Sequence, residues 1–402
     1  MTALKSGVFI VSAKRTAFGA FGGKLKSISC TSLGEVAAKS CISAINLDPK
    51  LIDTVVFGNV IQSNKDTAYL ARHVALRAGS NISTPALTLN RLCGSGFQAI
   101  ISAIHDLLIG GYNIALAGGS ENMSEVPFVV RDVRFGTRLG IDYKFEDPLM
   151  GTLFDHHVKT PMAITAENLA KDYKLSREDC DRYALQSQQR WKKAFDSGVF
   201  TPELAPITLK GKKGPEEFLR DEHPRDTTTE SLAKLPPVFL KDGVVTAGNA
   251  SGVCDGAGAL LLVTEEALSK HNLTPLARVS AYSISGCDPT RMGIGPVPAI
   301  DSMMKALGKD RSQINNHFDL IEVNEAFAAQ YLAVEKELGL DPSKTNINGG
   351  AISLGHPVGA SGARIMTHLA HQMAQNSKIK KTVGSACIGG GQGIAIALES
   401  PN

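Results

Sequence analysis

The sequence predicts an α/β fold built from two similar halves stacked as five layers, α/β/α/β/α, with a long segment inserted into the first half. Three observations carry this expectation. Short β-branched or apolar runs alternate with amphipathic stretches, the pattern of βαβ units whose sheets are covered by helices on both faces. A self-similarity recurs at a nearly constant offset, far longer than any solenoid period. Between roughly residues 121 and 249 that self-similarity has no counterpart.

The offset comes from three aligned pairs. Residues 53–60 match 319–326, and 94–100 match 360–366, both 266 residues apart; residues 33–39 match 298–304 at 265. Each half runs strand, long loop, amphipathic helix, strand, loop, helix, strand. Strands are predicted at 8–12, 54–57 and 114–117 in the first half, and at 277–281, 320–323 and 382–386 in the second. The insertion carries helix signals over 165–174 and 176–197, with Ser176 placed to cap the latter ahead of Glu178 and Asp179. Residues 210–225 are charged, lack apolar periodicity and are expected to form a surface loop, with Lys210, Lys212 and Lys213 solvated. The expected partition is 1–121 for the first part of the N-terminal half, 122–249 for an inserted loop domain, 250–273 for the return to the N-terminal half, and 274–402 for the C-terminal half.

Composition narrows the function classes. A chain of 402 residues, 43% hydrophobic and 20% charged, has the balance of a globular protein of two or three domains. The formal net charge of +3 is too small to suggest a nucleic-acid partner. Seven cysteines at irregular spacings, with no C-x-x-C pair, point to a reducing compartment and to neither a disulfide framework nor a zinc ribbon. No apolar run is expected to reach the ~18 residues of a bilayer span. The first acidic residue is Glu35, preceded by Lys5, Lys14, Arg15, Lys24 and Lys26. Acid-poor, basic N-termini resemble mitochondrial targeting segments, yet 7–12 reads as a buried strand, so any such signal would be part of the fold.

Four motifs carry chemistry. In the first, around Cys93, a strand ends and small residues open an apolar helix. A thiol at a helix N-terminus meets unpaired N–H groups and a dipole that favour its anion, and Gly94 and Gly96 would let a substrate approach the backbone. In the second, His356 lies in a glycine-rich stretch before the matching helix of the second half. Pseudo-symmetry would bring the two helix starts together, placing a base beside a sulfur nucleophile. In the third, Cys387 ends a strand just before Gly389, Gly390 and Gly391, whose N–H groups could line an oxyanion hole. This run lacks the G-K-[ST] ending of a phosphate loop. The fourth, Asn324-Glu325-Ala326-Phe327, sits where the repeat places the end of a central strand.

Taken together, these motifs resemble the acyl-enzyme, G-H-P, C-x-G-G-G and N-E-A-F signatures of the thiolases, and the likeness runs along essentially the whole chain. The resemblance is strongest to the mitochondrial branch that acts on 3-ketoacyl-CoA. It implies a thiolase-like fold and cleavage of 3-ketoacyl-CoA to acetyl-CoA and a shortened acyl-CoA, with the reverse Claisen condensation. It also implies roles. Cys93 carries the acyl group, His356 accepts the thiol proton, and Cys387 exchanges the α-proton. Oxyanion holes come from His356 with a water held by Asn324, and from the N–H groups of Cys93 and Gly389. Glu325 orients its neighbours. Arg225, Thr228 and Ser251 contact coenzyme A, which is a substrate, with no permanently bound cofactor and no metal. A homo-oligomer, tetramer or dimer, in the mitochondrial matrix is expected, with the cytoplasm as the alternative. The narrower alternative activity is acetoacetyl-CoA thiolysis for ketone-body or isoprenoid precursors. A ketoacyl synthase needs no second thiol, and a non-enzymatic relative would have lost Cys93 or His356.

Overall fold

The computed structural model describes residues 2–4, 6–211 and 214–401. Lys212 and Lys213 lie outside the described residues. The first half comprises β1 (Val8–Thr16), α1 (Cys30–Ser43), β2 (Thr54–Gly58), α2 (Leu70–Ala78), β3 (Ala86–Leu89), α3 (Ser95–Ile109) and β4 (Ile114–Asn122). The insertion carries α4 (Met162–Tyr173) and α5 (Arg177–Asp196), and β5 (Cys254–Thr264) returns the chain to the first half. The second half comprises β6 (Ala277–Gly286), α6 (Pro296–Ala306), β7 (Leu320–Val323), α7 (Ala328–Leu338), α8 (Ser361–Gln375), β8 (Lys381–Ile388) and β9 (Gln392–Glu399).

Every strand predicted in the two halves is present. The scheme placed β3 only as the strand ending before Cys93, without a range, and lacked β5 and β9. Nearly all of β5 and β9 is buried, so neither shows the alternation that marks a half-exposed strand. The sheet order is β7-β8-β9-β6-β1-β5-β4-β2-β3. The halves mirror one another: β2 runs parallel to β4 as β7 does to β8, and β4 pairs antiparallel with β5 as β8 does with β9. They join where β6 meets β1, through the pairs Ala277–Ile10 and Arg278–Phe9.

Five layers result. Helices α1 and α2 cover the outer face of the first sheet, and α6 covers that of the second. Between the sheets lie α3 and α8, each 15 residues long and starting 266 residues apart. A Cβ on Gly96 would sit 2.5 Å from the Ala363 nitrogen, and one on Gly362 would sit 2.3 Å from the Phe97 nitrogen. Gly94 likewise leaves room for Ile388, which a Cβ would meet at 2.4 Å. These glycines serve close packing between the halves, which corrects the expectation that Gly94 and Gly96 admit substrate. The stretch Leu92–Ile109 is by composition long and apolar enough to cross a membrane, contrary to the expectation of no such run. Its helix is apolar because it packs between two sheets.

In the insertion, Ser176 caps α5 through a capping box, its Oγ accepting from Asp179 N at 3.1 Å while Asp179 accepts from Ser176 N at 3.0 Å. Within the expected loop at 210–225, residues 210–211 and 214–218 instead belong to a hairpin, Ile207–Gly211 against Gly214–Phe218, while 219–225 form no helix or strand. Pairing satisfies its backbone, and Ile207 and Phe218, with Leu209 packed beside them, reach the core of the first half. Just beyond, Asp221 is buried. It accepts from Arg15 at 2.7 Å and from Trp191 Nε1 at 3.1 Å. Arg15 also donates to Glu203 at 2.6 Å, and Glu203 pairs with His368 of α8 at 2.8 Å. The insertion is thus bolted to β1 and to a central helix by buried charge. Burial pushes Glu203 up, but His368 and Arg15 outweigh it and hold the carboxyl down to about 2.

Because Gly362 touches the backbone of α3, Gly362→Ala is expected to destabilise the protein by about 1–3 kcal/mol. Denaturant unfolding of the variant measures this; an unchanged midpoint would show that the two helices are not in close contact.

Candidate active site

Strand β3 ends at Leu89, and the chain turns sharply before α3. Leu92, immediately ahead of Cys93, adopts φ +46°, a left-handed conformation uncommon for a residue with a side chain. The turn is tied internally. Asn90 Oδ1 accepts from Leu92 N at 2.8 Å, and Ser95 Oγ accepts from Arg91 N at 2.8 Å and donates to Leu92 O at 2.7 Å. Nothing in residue composition marks this strained position.

Cys93 is half-buried and lines a cavity of about 390 Å³ that His356 also lines. Cysteine and histidine belong to opposite halves, as the repeat predicts. Apolar side chains make most of the wall, including Met123, Phe154, Met162, Met292, Phe327 and Val358. Ser251 and Gly252 complete one edge.

The His356 ring is buried, with Nδ1 2.6 Å from Ser361 Oγ and Nε2 3.5 Å from Asn324 Nδ2. Ser361 Oγ also lies 3.2 Å from Pro357 O, its acceptor. The hydroxyl therefore spends its hydrogen there and accepts from His356 Nδ1–H, leaving Nε2 as the free base. Burial, and then the Arg364 charge, push the imidazole down to about 4. Burial pushes the Cys93 thiol up to about 11, opposed by the backbone N–H groups of Gly389 and of Cys93 itself. The expected helix-start stabilisation of the thiolate is therefore outweighed by desolvation. Sulfur and imidazole therefore both rest neutral.

Cys387 is fully buried one layer behind the cavity, packed with Met292 and Ala326 and flanked by Met162 and Phe327. Burial, then the nearby Cys93 and Cys287 charges, raise its thiol well above the ordinary range. Next in sequence, Gly390 and Gly391 take φ +78° and +80° to turn the chain from β8 into β9. This turn aims the Gly389 N–H at Cys93.

Asn324 is buried with Oδ1 unpartnered among the described residues. Its neighbour Glu325 points elsewhere, accepting from Tyr183 Oη at 2.7 Å, Ser187 Oγ at 2.7 Å and Ile352 N at 3.1 Å. That carboxylate ties the strand end to α5 and to the loop leading to His356, which suits an orienting function. Of the residues expected to contact coenzyme A, the structure brings only Ser251 to the cavity wall. Arg225 and Thr228 are exposed on a neighbouring segment, where Thr228 Oγ1 caps the short helix Thr229–Ala233 by accepting from Ser231 N at 3.2 Å. That segment borders the site, since a Cβ on Gly252 would sit 2.3 Å from the His223 ring.

The site also makes stability depend on pH. His356 and His223 both titrate near 4 in the fold, against 6.5 for the free side chain. Below 6.5 the unfolded chain takes up protons that the fold refuses, so stability held above 6.5 is lost between about 6.5 and 4. His356→Gln is expected to reduce this slope by up to about 1.4 kcal/mol per pH unit. Unfolding free energies across that range measure it; identical slopes would refute the assignment of a buried neutral imidazole.

Comparison with known proteins agrees with this arrangement. Residues 8–266 match the family description "Thiolase, N-terminal domain" and residues 273–400 match "Thiolase, C-terminal domain". The chain is 58% identical over 399 residues to human "3-ketoacyl-CoA thiolase, mitochondrial", covering 99% of each chain. It is 59% identical to the mouse protein of the same name, again over 99% of each. A crystal structure of human mitochondrial 3-ketoacyl-CoA thiolase in complex with CoA superposes with a TM-score of 0.95 at 57% identity, covering 99% of each chain. A duplicated five-layered body, with a cysteine and a histidine brought to one cavity from its two halves, and these matches along nearly the full length, place the chain in the thiolase family of acyltransferases.

Proposed function

We propose that this chain cleaves 3-ketoacyl-CoA with coenzyme A, yielding acetyl-CoA and a shortened acyl-CoA, and catalyses the reverse condensation. The observation that carries this is the meeting of Cys93 and His356 at one apolar cavity with Cys387 directly behind it. Cys93 attacks the 3-keto carbon while His356 Nε2 takes the thiol proton. The C2–C3 bond breaks, and the acetyl-CoA carbanion takes a proton from Cys387. Coenzyme A then gives its thiol proton to the Cys387 thiolate and attacks the acyl-Cys93 thioester; the departing sulfur recovers its proton from His356.

Two oxyanions develop along this path. The backbone N–H groups of Cys93 and Gly389 serve the one at the acyl-cysteine carbonyl, a role supported by their direction towards the sulfur. His356, with a water held by Asn324, serves the other; the unpartnered Asn324 Oδ1 supports it. One such donor is typically worth about 3 kcal/mol of barrier.

Coenzyme A enters over the insertion, residues 122–249, with Ser251 at the pantetheine end, Thr228 along the chain and Arg225 near a phosphate. The protein works as a homo-oligomer, a dimer or tetramer. Supporting this, edge strand β3 exposes Leu87, and the insertion exposes Phe135 and Leu139 almost fully. The basic, acid-poor N-terminal segment and the names of the relatives support a mitochondrial matrix location.

Incubation with 3-ketoacyl-CoA in the absence of free coenzyme A is expected to leave an acyl mass on the Cys93 peptide; an unlabelled Cys93 would refute the mechanism. Cys387→Ala is expected to accept the acyl group yet lose condensation, and retained condensation would remove its role in proton exchange. The methionine-lined cavity adapts to shape, so thiolysis rates should extend beyond four-carbon substrates. Turnover confined to acetoacetyl-CoA would instead favour the narrower acetoacetyl-CoA thiolase.

A further inference from the structure

Besides the bond from His356 N to Gly252 O at 2.9 Å, one buried carboxylate clasps the His356 loop to the first half. Glu121, near the end of β4, is fully buried and has no cationic partner among the described residues. Four N–H groups converge on it. Asn59 Nδ2 and Ile61 N donate to Oε1 at 3.1 and 3.0 Å, and Val60 N and Gly359 N donate to Oε2 at 2.9 and 3.0 Å. The first three belong to the loop after β2, in the half that carries Cys93. Gly359 belongs to the other half, three residues beyond His356.

The contact leaves no slack. A Cβ on Gly359 would fall 2.6 Å from Glu121 Oε2, and one on Gly119 would fall 2.0 Å from Gly359 O. From Gly359 the chain leads straight to the base. Ala360 N donates to Pro357 O at 2.8 Å, and Ser361, whose hydroxyl fixes the His356 ring, lies two residues on. Movement of Gly359 therefore moves Ser361, the partner that fixes the imidazole at Nδ1.

The repeat shows that Glu121 is a departure from symmetry. Asp53 accepts from Asn113 N and Ile114 N, whereas Asp319 accepts from Lys380 N and Lys381 N. The offset thus rises to 267 after α8, which places Glu121 opposite Ile388. Ile388 fills the mirror-related position against Gly94, beside Cys93, with hydrocarbon. The half that must hold a histidine has a charge-assisted clasp there instead.

We propose that Glu121 is a positioning residue, its carboxylate clasping Gly359 so that His356 is held at the Cys93 sulfur. The proposal rests on the assignment of Cys93 as nucleophile and His356 as its base. Glu121→Gln preserves volume but has a single acceptor oxygen, and its amide N–H group would oppose two of the four donors.

The test is the rate of Cys93 alkylation by iodoacetamide well above pH 7, where Glu121, whose carboxyl burial pushes up to about 7, is ionised, with thiolysis kinetics alongside, in the wild type, Glu121→Gln, His356→Ala and the double variant. Losing the Glu121 charge would by itself favour the Cys93 thiolate, because that charge raises the thiol pKa. A slower reaction therefore reports displacement of the base. Glu121→Gln is expected to slow alkylation and kcat by about tenfold to a hundredfold with KM little changed, and to add less than about twofold in the His356→Ala background. Should Glu121→Gln not fold, Gly359→Ala, which pushes on the same oxygen, is expected to give the same pattern. Wild-type rates in the folded variant, or an equal slowing in both backgrounds, would overturn the clasp. Unchanged alkylation in His356→Ala alone would instead overturn the base assignment, and the clasp with it.

Discussion

Two helix starts touch backbone to backbone at Gly96 and Gly362, and the rest of the molecule is arranged around that contact. Packing at this distance is possible only where both chains lack a Cβ. It brings α3 and α8 together in the middle layer, so the loops entering them share one end of the molecule. Cys93 lies just ahead of one helix and His356 just ahead of the other. Neither half contains a site alone. The seam creates it, and the precision of the seam limits how well sulfur and imidazole can be aligned.

Burial sets the chemistry of that seam. With the thiol pushed up to about 11 and the imidazole down to about 4, proton transfer between them is uphill at rest. The same low dielectric that keeps both groups neutral strengthens every hydrogen bond made to a developing oxyanion. Cys387, fully buried and neutral, fits an exchange of protons inside the same dry compartment.

The insertion is part of this machinery. Arg15, Glu203, Asp221 and His368 join β1, the insertion and α8 through buried ionic contacts. Removing one member of such a network leaves an uncompensated charge, so its value lies in fixing geometry as much as in stability. Glu325 acts similarly, holding α5 against the loop that leads to His356. The segment bordering the cavity mouth is thereby kept in register with the residues beneath it.

The duplication, most of the strands of both halves and the four motifs were legible in the sequence, because hydrophobic period and glycine-rich punctuation are local signals. So was the pairing of Cys93 with His356, since a repeat predicts a symmetry and the symmetry predicts an interface. Other features depended on distant partners. Strands β5 and β9 hide their pattern because they are almost entirely buried. The purpose of Gly94 and Gly96 is set by side chains and backbone hundreds of residues away. The hairpin at 207–218 is marked in the sequence only by the short alternation of Ile207 and Leu209 ahead of a charged second strand, so its pairing is set by where the chain folds back. The direction of the Cys93 shift reversed because local sequence reports a helix start but not the depth of burial around it. Sequence by itself therefore determined which groups come together at the cavity and roughly where the chain turns. Only tertiary packing decided how dry, how close and how charged their surroundings are, since desolvation and contact are properties of neighbours that the chain brings together when it folds.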